Sequence, residues 1–203
     1  MKNIVLDMGN VLVGWQPAAF ALRAAGNAED AKLLSAALFE RKEWALGDAG
    51  LVSREEMQRL ACEGLPARLH GAMRALEENW PYWMPDIEGA GAFVKRARAA
   101  GFSVYLLSNA SERFPEALRD RDFFSYFNGM LFSAHEKMVK PDPAIYRLLC
   151  SRFHLKAEEC FFLDDLEANV AGAKSIGMQA MVFEGDYRQT EEALNRLGIF
   201  LAE

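Results

Sequence analysis

Residues 3–15 read NIVLDMGNVLVGW. An apolar run, Ile4 to Leu6, ends on Asp7 and delivers that carboxylate to a loop containing Gly9 and Asn10. An Asp in this position can be plain turn chemistry, because Asp and Asn tolerate turn geometry. It can also be a carboxylate at the carboxyl end of a parallel strand, where open α/β sheets build their sites. The rest of the chain decides between the two.

From Asp86 onward, short apolar runs alternate with helical patterns. Residues 102–109 (FSVYLLSN), 129–133 (GMLFS), 160–165 (CFFLDD) and 178–184 (MQAMVFE) read as strands. Residues 87–101, 142–154 and 167–177 carry apolar residues at helical spacing, and two of these segments close on Gly, a common helix stop. Strands that alternate with helices make βαβ units, hence a Rossmann-like parallel sheet with helices on both faces. The run before Asp7 supplies one more strand.

Residues 15–85 have a different texture, rich in Ala, Leu, Glu and Arg with no convincing strand. Segments 17–26, 28–47 and 53–64 read as helices, the last opened by Ser53 and Glu56 as a capping box. The stretch NWPYWMP, residues 79–85, is expected to interrupt helix with its two prolines. The expected organisation is an α/β core, residues 1–14 and 86–203, with an all-helical insertion at 15–85.

Composition bounds the function. Of 203 residues, 51% are hydrophobic and 26% charged, the balance of a soluble globular chain with room for a core. A net charge of -6 argues against nucleic acid as the main partner, which requires clustered Lys and Arg. No apolar run spans a bilayer, and the start MKNIVLDMGN lacks the apolar region of a signal peptide. The three cysteines, Cys62, Cys150 and Cys160, have no metal-binding spacing and read as reduced thiols. A cytoplasmic protein without membrane contact, monomer or homodimer, is the expectation.

Three further segments place polar residues at element ends. Residues 104–111 (VYLLSNAS) end a strand on Ser108 and Asn109; residues 136–146 (EKMVKPDPAIY) set Lys140 before a helix-opening Pro; and a third strand ends on Asp164 and Asp165, with Asn169 one turn on. Each has a plainer reading, as turn, surface or helix-cap chemistry. Together they are the parts of phosphoryl transfer through a carboxylate nucleophile. An Asp that attacks phosphorus splits one hard step into two. Mg²⁺ suits a few carboxylate and carbonyl oxygens beside a phosphate. A Lys and a Ser can neutralise and hydrogen-bond the transferring oxygens.

In order and register, these motifs resemble the haloacid dehalogenase superfamily nearly end to end, with the insertion similar to that family's helical C1 cap. LDMGNVLV is most similar to the bacterial subgroup that includes α-D-glucose-1-phosphate phosphatase. The resemblance implies Asp7 as nucleophile and metal ligand, with the Gly9 carbonyl and Asp164 completing the protein ligands of Mg²⁺. It implies Met8, Gly9, Ser108, Asn109 and Lys140 around the phosphate, Lys140 also acting in catalysis, with Asp165 and Asn169 in support. The implied activity is a phosphomonoester hydrolase acting on a small metabolite such as a sugar phosphate. The departure is Gly9, where most phosphatases of the family have the Asp that protonates the leaving alcohol. General acid–base help is worth roughly 10²–10⁴-fold. A 2-haloacid dehalogenase, which attacks carbon without a metal, and a catalytically reduced binding protein are therefore alternatives. His70 and His135 are candidate proton carriers by side-chain chemistry; Trp15, Trp80 and Trp83 flank the insertion's two connections to the core, and Trp15 and Trp44 are candidate members of the cap pocket.

Overall fold

The computed structural model describes residues 1–202. Its elements in chain order begin with β1 (Asn3–Leu6), followed by α1 (Pro17–Ala25), α2 (Ala28–Leu38), α3 (Lys42–Asp48), α4 (Arg54–Cys62) and α5 (His70–Trp83). Then come α6 (Ala90–Ala99), β2 (Ser103–Ser108), α7 (Phe114–Ala117), β3 (Gly129–Phe132), α8 (Ser133–Glu136) and α9 (Pro143–Arg152). The chain finishes with β4 (Cys160–Asp164), α10 (Glu167–Ser175), β5 (Gln179–Val182) and α11 (Tyr187–Arg196).

The five strands form one parallel sheet in the order β3-β2-β1-β4-β5. Alternation along β1 sends Ile4 and Leu6 to one face and Val5 to the other. The first face packs on α6 through Phe93, Val94 and Ala97, and the second on α9 and α10 through Ile145, Leu149 and Ala173. Central strands buried on both faces explain why β1 and β4 read as unbroken apolar runs. The α/β class expected from the sequence is the one observed.

Helices α1–α5 leave the sheet after β1 and return before α6. The two connecting segments run side by side, the Gly14 N–H donating to Pro85 O at 2.7 Å and the Ile87 N–H to Leu12 O at 2.9 Å. The core does not stop at this neck. Phe20, Leu34, Met73 and Trp80 of the insertion belong to the same buried cluster as Ile4 and Leu6 of the sheet.

Three local expectations are corrected. Segment 28–47 is two helices, broken at Phe39–Arg41. In one straight helix Phe39 and Trp44 would point about 140° apart. The break brings their rings to 5.0 Å within a shared aromatic cluster. Secondly, Pro81 does not interrupt α5 but sits inside it. Proline cannot donate to the carbonyl of Glu77, and Arg113 from the α/β part does so instead, at 2.7 Å, while also reaching Glu78 O at 2.6 Å. Thirdly, Ser53 caps α4 by accepting from the Glu56 N–H, but the Glu56 carboxylate turns to Arg59 rather than completing the box. The short α7 and α8 carry too little periodic sequence to be expected, whereas α11 is amphipathic, burying Tyr187, Thr190 and Leu194, and is not among the expected helices. Among the described residues no helix is long and apolar enough to cross a membrane, and the three cysteines are free.

Candidate active site

The strand order places β1 between β2 and β4, so their carboxyl ends converge. Asp7 follows β1, Ser108 ends β2 and Asp164 ends β4. The Asp7 N–H bonds Leu163 O at 2.9 Å, which sets Asp7 beside Asp164. Carboxylate oxygens of Asp7, Asp164 and Asp165 all lie within 4.8 Å of one another. Three acids this close repel strongly unless positive charge is supplied.

Lys140 supplies part of it. Its Nζ donates to Asp164 Oδ2 at 2.6 Å and lies 2.6 Å from Asp7 Oδ1, with both ion pairs almost wholly buried. Burial opposes the lysine charge, but Asp7 and Asp164 outweigh it and hold Lys140 above its ordinary range. The Asp7 contact is a buried ion pair, with Oδ1 facing the Lys140 ammonium. Burial and the Asp164 charge raise the Asp7 carboxyl to about 6, against the pull of Lys140.

The remaining acids are held from their own elements. Asn169, in the first turn of α10, donates to both oxygens of Asp164 at 2.9 and 3.1 Å, and the Leu166 N–H adds a third bond at 2.9 Å. Asp165 accepts from Asn10 Nδ2 at 2.9 Å, while Asn10 Oδ1 accepts from the Trp15 N–H at 3.0 Å. Asn10 stands at φ 53°, a left-handed conformation that Asn tolerates better than most residues. Both polar atoms of Asn109 are bonded to the Lys140 main chain, and Asn109 also borders the catalytic cavity.

A cavity of about 250 Å³ opens over these groups, bordered by Asp7, Met8, Gly9, Ser108, Lys140 and Asp165 from the sheet side. Trp15, Trp44, Trp80 and Asp48 close it from the insertion. Trp15 and Trp44 are also members of an aromatic cluster, their rings 5.4 Å apart and each 5.1 to 5.4 Å from Trp80. Trp83 lies elsewhere, under Arg23 at 4.5 Å. Neither candidate histidine borders the cavity: His70 faces Leu65 O at 3.1 Å, and His135 is exposed.

Sequence reasoning gave Asn10 and Asp48 no role in the site and placed Trp80 only at the junction of the insertion with the core. Asn10 had a usable signal, an Asn following Gly in a loop after an acid-bearing strand. Asp48 had none, because its place over the site depends on how the insertion folds back.

Residues 1–177 match the family model described as haloacid dehalogenase-like hydrolase. Among curated proteins the chain is 26% identical over 182 residues to a phosphorylated carbohydrates phosphatase of Thermotoga maritima, covering 88% of this chain and 83% of that protein. Among solved structures, a haloacid dehalogenase-family enzyme of Bacteroides thetaiotaomicron, an Asp-to-Ala mutant in complex with magnesium and inorganic phosphate, superposes with a TM-score of 0.73 at 20% identity, over 94% of this chain and 98% of the other. A dehalogenase superposes with a TM-score of 0.72 at 20% identity, over 91% and 85%. With the family model spanning most of its length, this chain belongs to the haloacid dehalogenase-like hydrolases.

Proposed function

We propose that the protein is a Mg²⁺-dependent phosphomonoester hydrolase that uses Asp7 as nucleophile and acts on a small phosphorylated metabolite, a sugar phosphate being the leading class. The observation that carries this reading is the cluster of Asp7, Asp164 and Asp165, three acids met by one lysine that pairs with Asp7 and Asp164. The donor set fits a hard divalent ion: carboxylate oxygens of Asp7, Asp164 and Asp165, all within 4.8 Å of one another. Asp7, the Gly9 carbonyl and Asp164 would hold it, with Asp165 and Asn169 in support. When bound, Mg²⁺ lets two anions approach each other and stabilises charge on the transferring group.

The chain's own residues supply the rest. At neutral pH a carboxyl raised to about 6 is mostly ionised, so Asp7 is ready to attack. Its oxygen bonds to phosphorus, the alcohol departs, and water then cleaves the aspartyl phosphate. Lys140, fixed between Asp7 and Asp164, neutralises the phosphoryl oxygens, and the buried Ser108 hydroxyl at the end of β2 hydrogen-bonds them. Attack at carbon, as in a dehalogenase, would give the acid cluster no purpose. The match to a carbohydrate phosphatase and the tryptophan-lined roof support a sugar as the leaving group.

The test is phosphate release from a panel of sugar phosphates, nucleotides and an aryl phosphate, with Mg²⁺ and with excess chelator. Release that requires metal and disappears in Asp7→Asn is expected. Silence across the panel, or activity that survives Asp7→Asn, would overturn the reading.

A further inference from the structure

Gly9 brings no side chain to the leaving group, and nothing lies within 4 Å of where its Cβ would project. A proton donor for an unactivated alcohol must come from elsewhere. Among the residues bordering the catalytic cavity, the one carboxyl from the insertion is Asp48, the last residue of α3. Asp48 also borders an adjoining cavity of about 320 Å³, together with Trp44, Trp80, Met57 and Arg113. It therefore stands at the junction between the phosphate end and the space left for the rest of a substrate. The leaving-group oxygen of a substrate that fills both cavities would sit at that junction.

Its position is fixed by the α/β part. The Ser133 hydroxyl, fully buried at the start of α8, donates to the Asp48 carbonyl and accepts from the Ala110 N–H. Two residues on, Gly50 adopts φ 66° and lies so close to Ala134 that an added Cβ would be 2.1 Å from its carbonyl oxygen. The loop carrying Asp48 is thus docked on the β3–α8 corner, next to the strand ends that hold the acid cluster.

We infer that Asp48 is the proton-transferring catalytic residue of this enzyme, taking the place of the acid that Gly9 cannot provide. The inference rests on the phosphatase reading above. As the Asp7 oxygen bonds to phosphorus and the bond to the leaving oxygen breaks, the Asp48 proton passes to that oxygen, and a neutral alcohol departs. Asp48, now a carboxylate, takes a proton from the water whose oxygen attacks phosphorus. The Asp7–phosphorus bond then breaks with its electrons returning to the carboxylate, and both acids are regenerated. Burial, and secondarily the charge of Asp7, push the Asp48 carboxyl up to about 7, near the optimum for a group that both gives and takes a proton at neutral pH.

The experiment compares the first turnover of wild type, Asp48→Asn and the double variant Gly9→Asp/Asp48→Asn. The substrates are nitrophenyl phosphate, whose leaving group needs no proton, and the sugar phosphate that wild type turns over fastest. Asp48→Asn should release nitrophenol within about threefold of wild type but release the sugar about 100-fold more slowly. The double variant should recover at least about tenfold of the sugar rate, because Gly9 has room for a carboxyl. Equal losses on both substrates would show a merely structural role and overturn the inference, as would an unchanged sugar rate. Wild type inactive on all phosphates would instead overturn the phosphatase reading itself.

Discussion

Both polar atoms of the Asn109 side chain are bonded to the main chain of Lys140, Oδ1 accepting from its N–H at 2.8 Å and Nδ2 donating to its carbonyl at 2.9 Å. A residue expected beside the phosphate borders the catalytic cavity and also fixes the backbone from which the lysine reaches Asp7 and Asp164. Asn109→Ala leaves a main-chain donor and acceptor without partners, at a cost of about 1–3 kcal/mol. Displacement of the ammonium by even an ångström should lower turnover up to about 100-fold. Urea unfolding and phosphate release measure the two effects, and full activity in the variant would show that Lys140 is held by other contacts.

Asn10 bridges the loop after β1 to Asp165 and to the start of the insertion at Trp15. Because it stands at positive φ, Asn10→Gly keeps the backbone and removes only the amide. Loss of a partner that orients an acid beside a metal site typically weakens affinity or activity 10–100-fold, so the Mg²⁺ concentration giving half-maximal activity should rise by about that factor. An unchanged Mg²⁺ dependence would place Asp165 outside the metal's influence.

The α/β sheet was legible because its signals are local. β1 and β4 are continuous apolar runs that end on acids, and alternating strand and helix patterns dictate a parallel sheet. The same locality made Asp7, Ser108, Lys140 and Asp164 visible, since three sit at strand ends and Lys140 lies in the loop just before α9. What was not legible depends on contacts between distant segments. Pro81 reads as a helix breaker until Arg113, 32 positions further along the sequence, is seen to satisfy the Glu77 carbonyl. Asp48 reads as a turn acid until Ser133 and Ala134 are seen to dock its loop.

That docking gives a stability prediction of its own. Gly50→Ala places a methyl group at positive φ and against the Ala134 carbonyl. Strain in a left-handed residue costs about 1 kcal/mol, and backbone displacement adds to it, so a loss of at least about 2 kcal/mol in urea unfolding is expected. Gly26, with φ 76° but nothing within 4 Å of its would-be Cβ, serves as the control. Gly26→Ala should cost only the conformational part. Equal losses at the two positions would mean that the loop shifts freely and does not press on the corner.

The pH dependence of stability tests the environment of Asp48 without any substrate. Its carboxyl stands at about 7 in the folded protein against an ordinary 3.8, raised by burial and then by the charge of Asp7. Between those values the folded state binds more protons at this site than the unfolded state, so stability falls as pH rises through the window. Asp48→Asn carries no ionisable group here and escapes that loss. The variant and wild type should therefore have similar slopes below about pH 4, diverge between about pH 4 and 7, and run parallel above it, the variant gaining about 1–3 kcal/mol relative to wild type after solvent access from the cavity is allowed for. Asp7, also raised, contributes a slope of its own to both proteins, and its charge is part of what raises Asp48. Urea unfolding at pH 5 and pH 8 reads the effect directly. A difference that does not change with pH would mean that Asp48 is solvated as an ordinary surface carboxylate, and a surface carboxylate would be fully ionised at neutral pH with no proton to give.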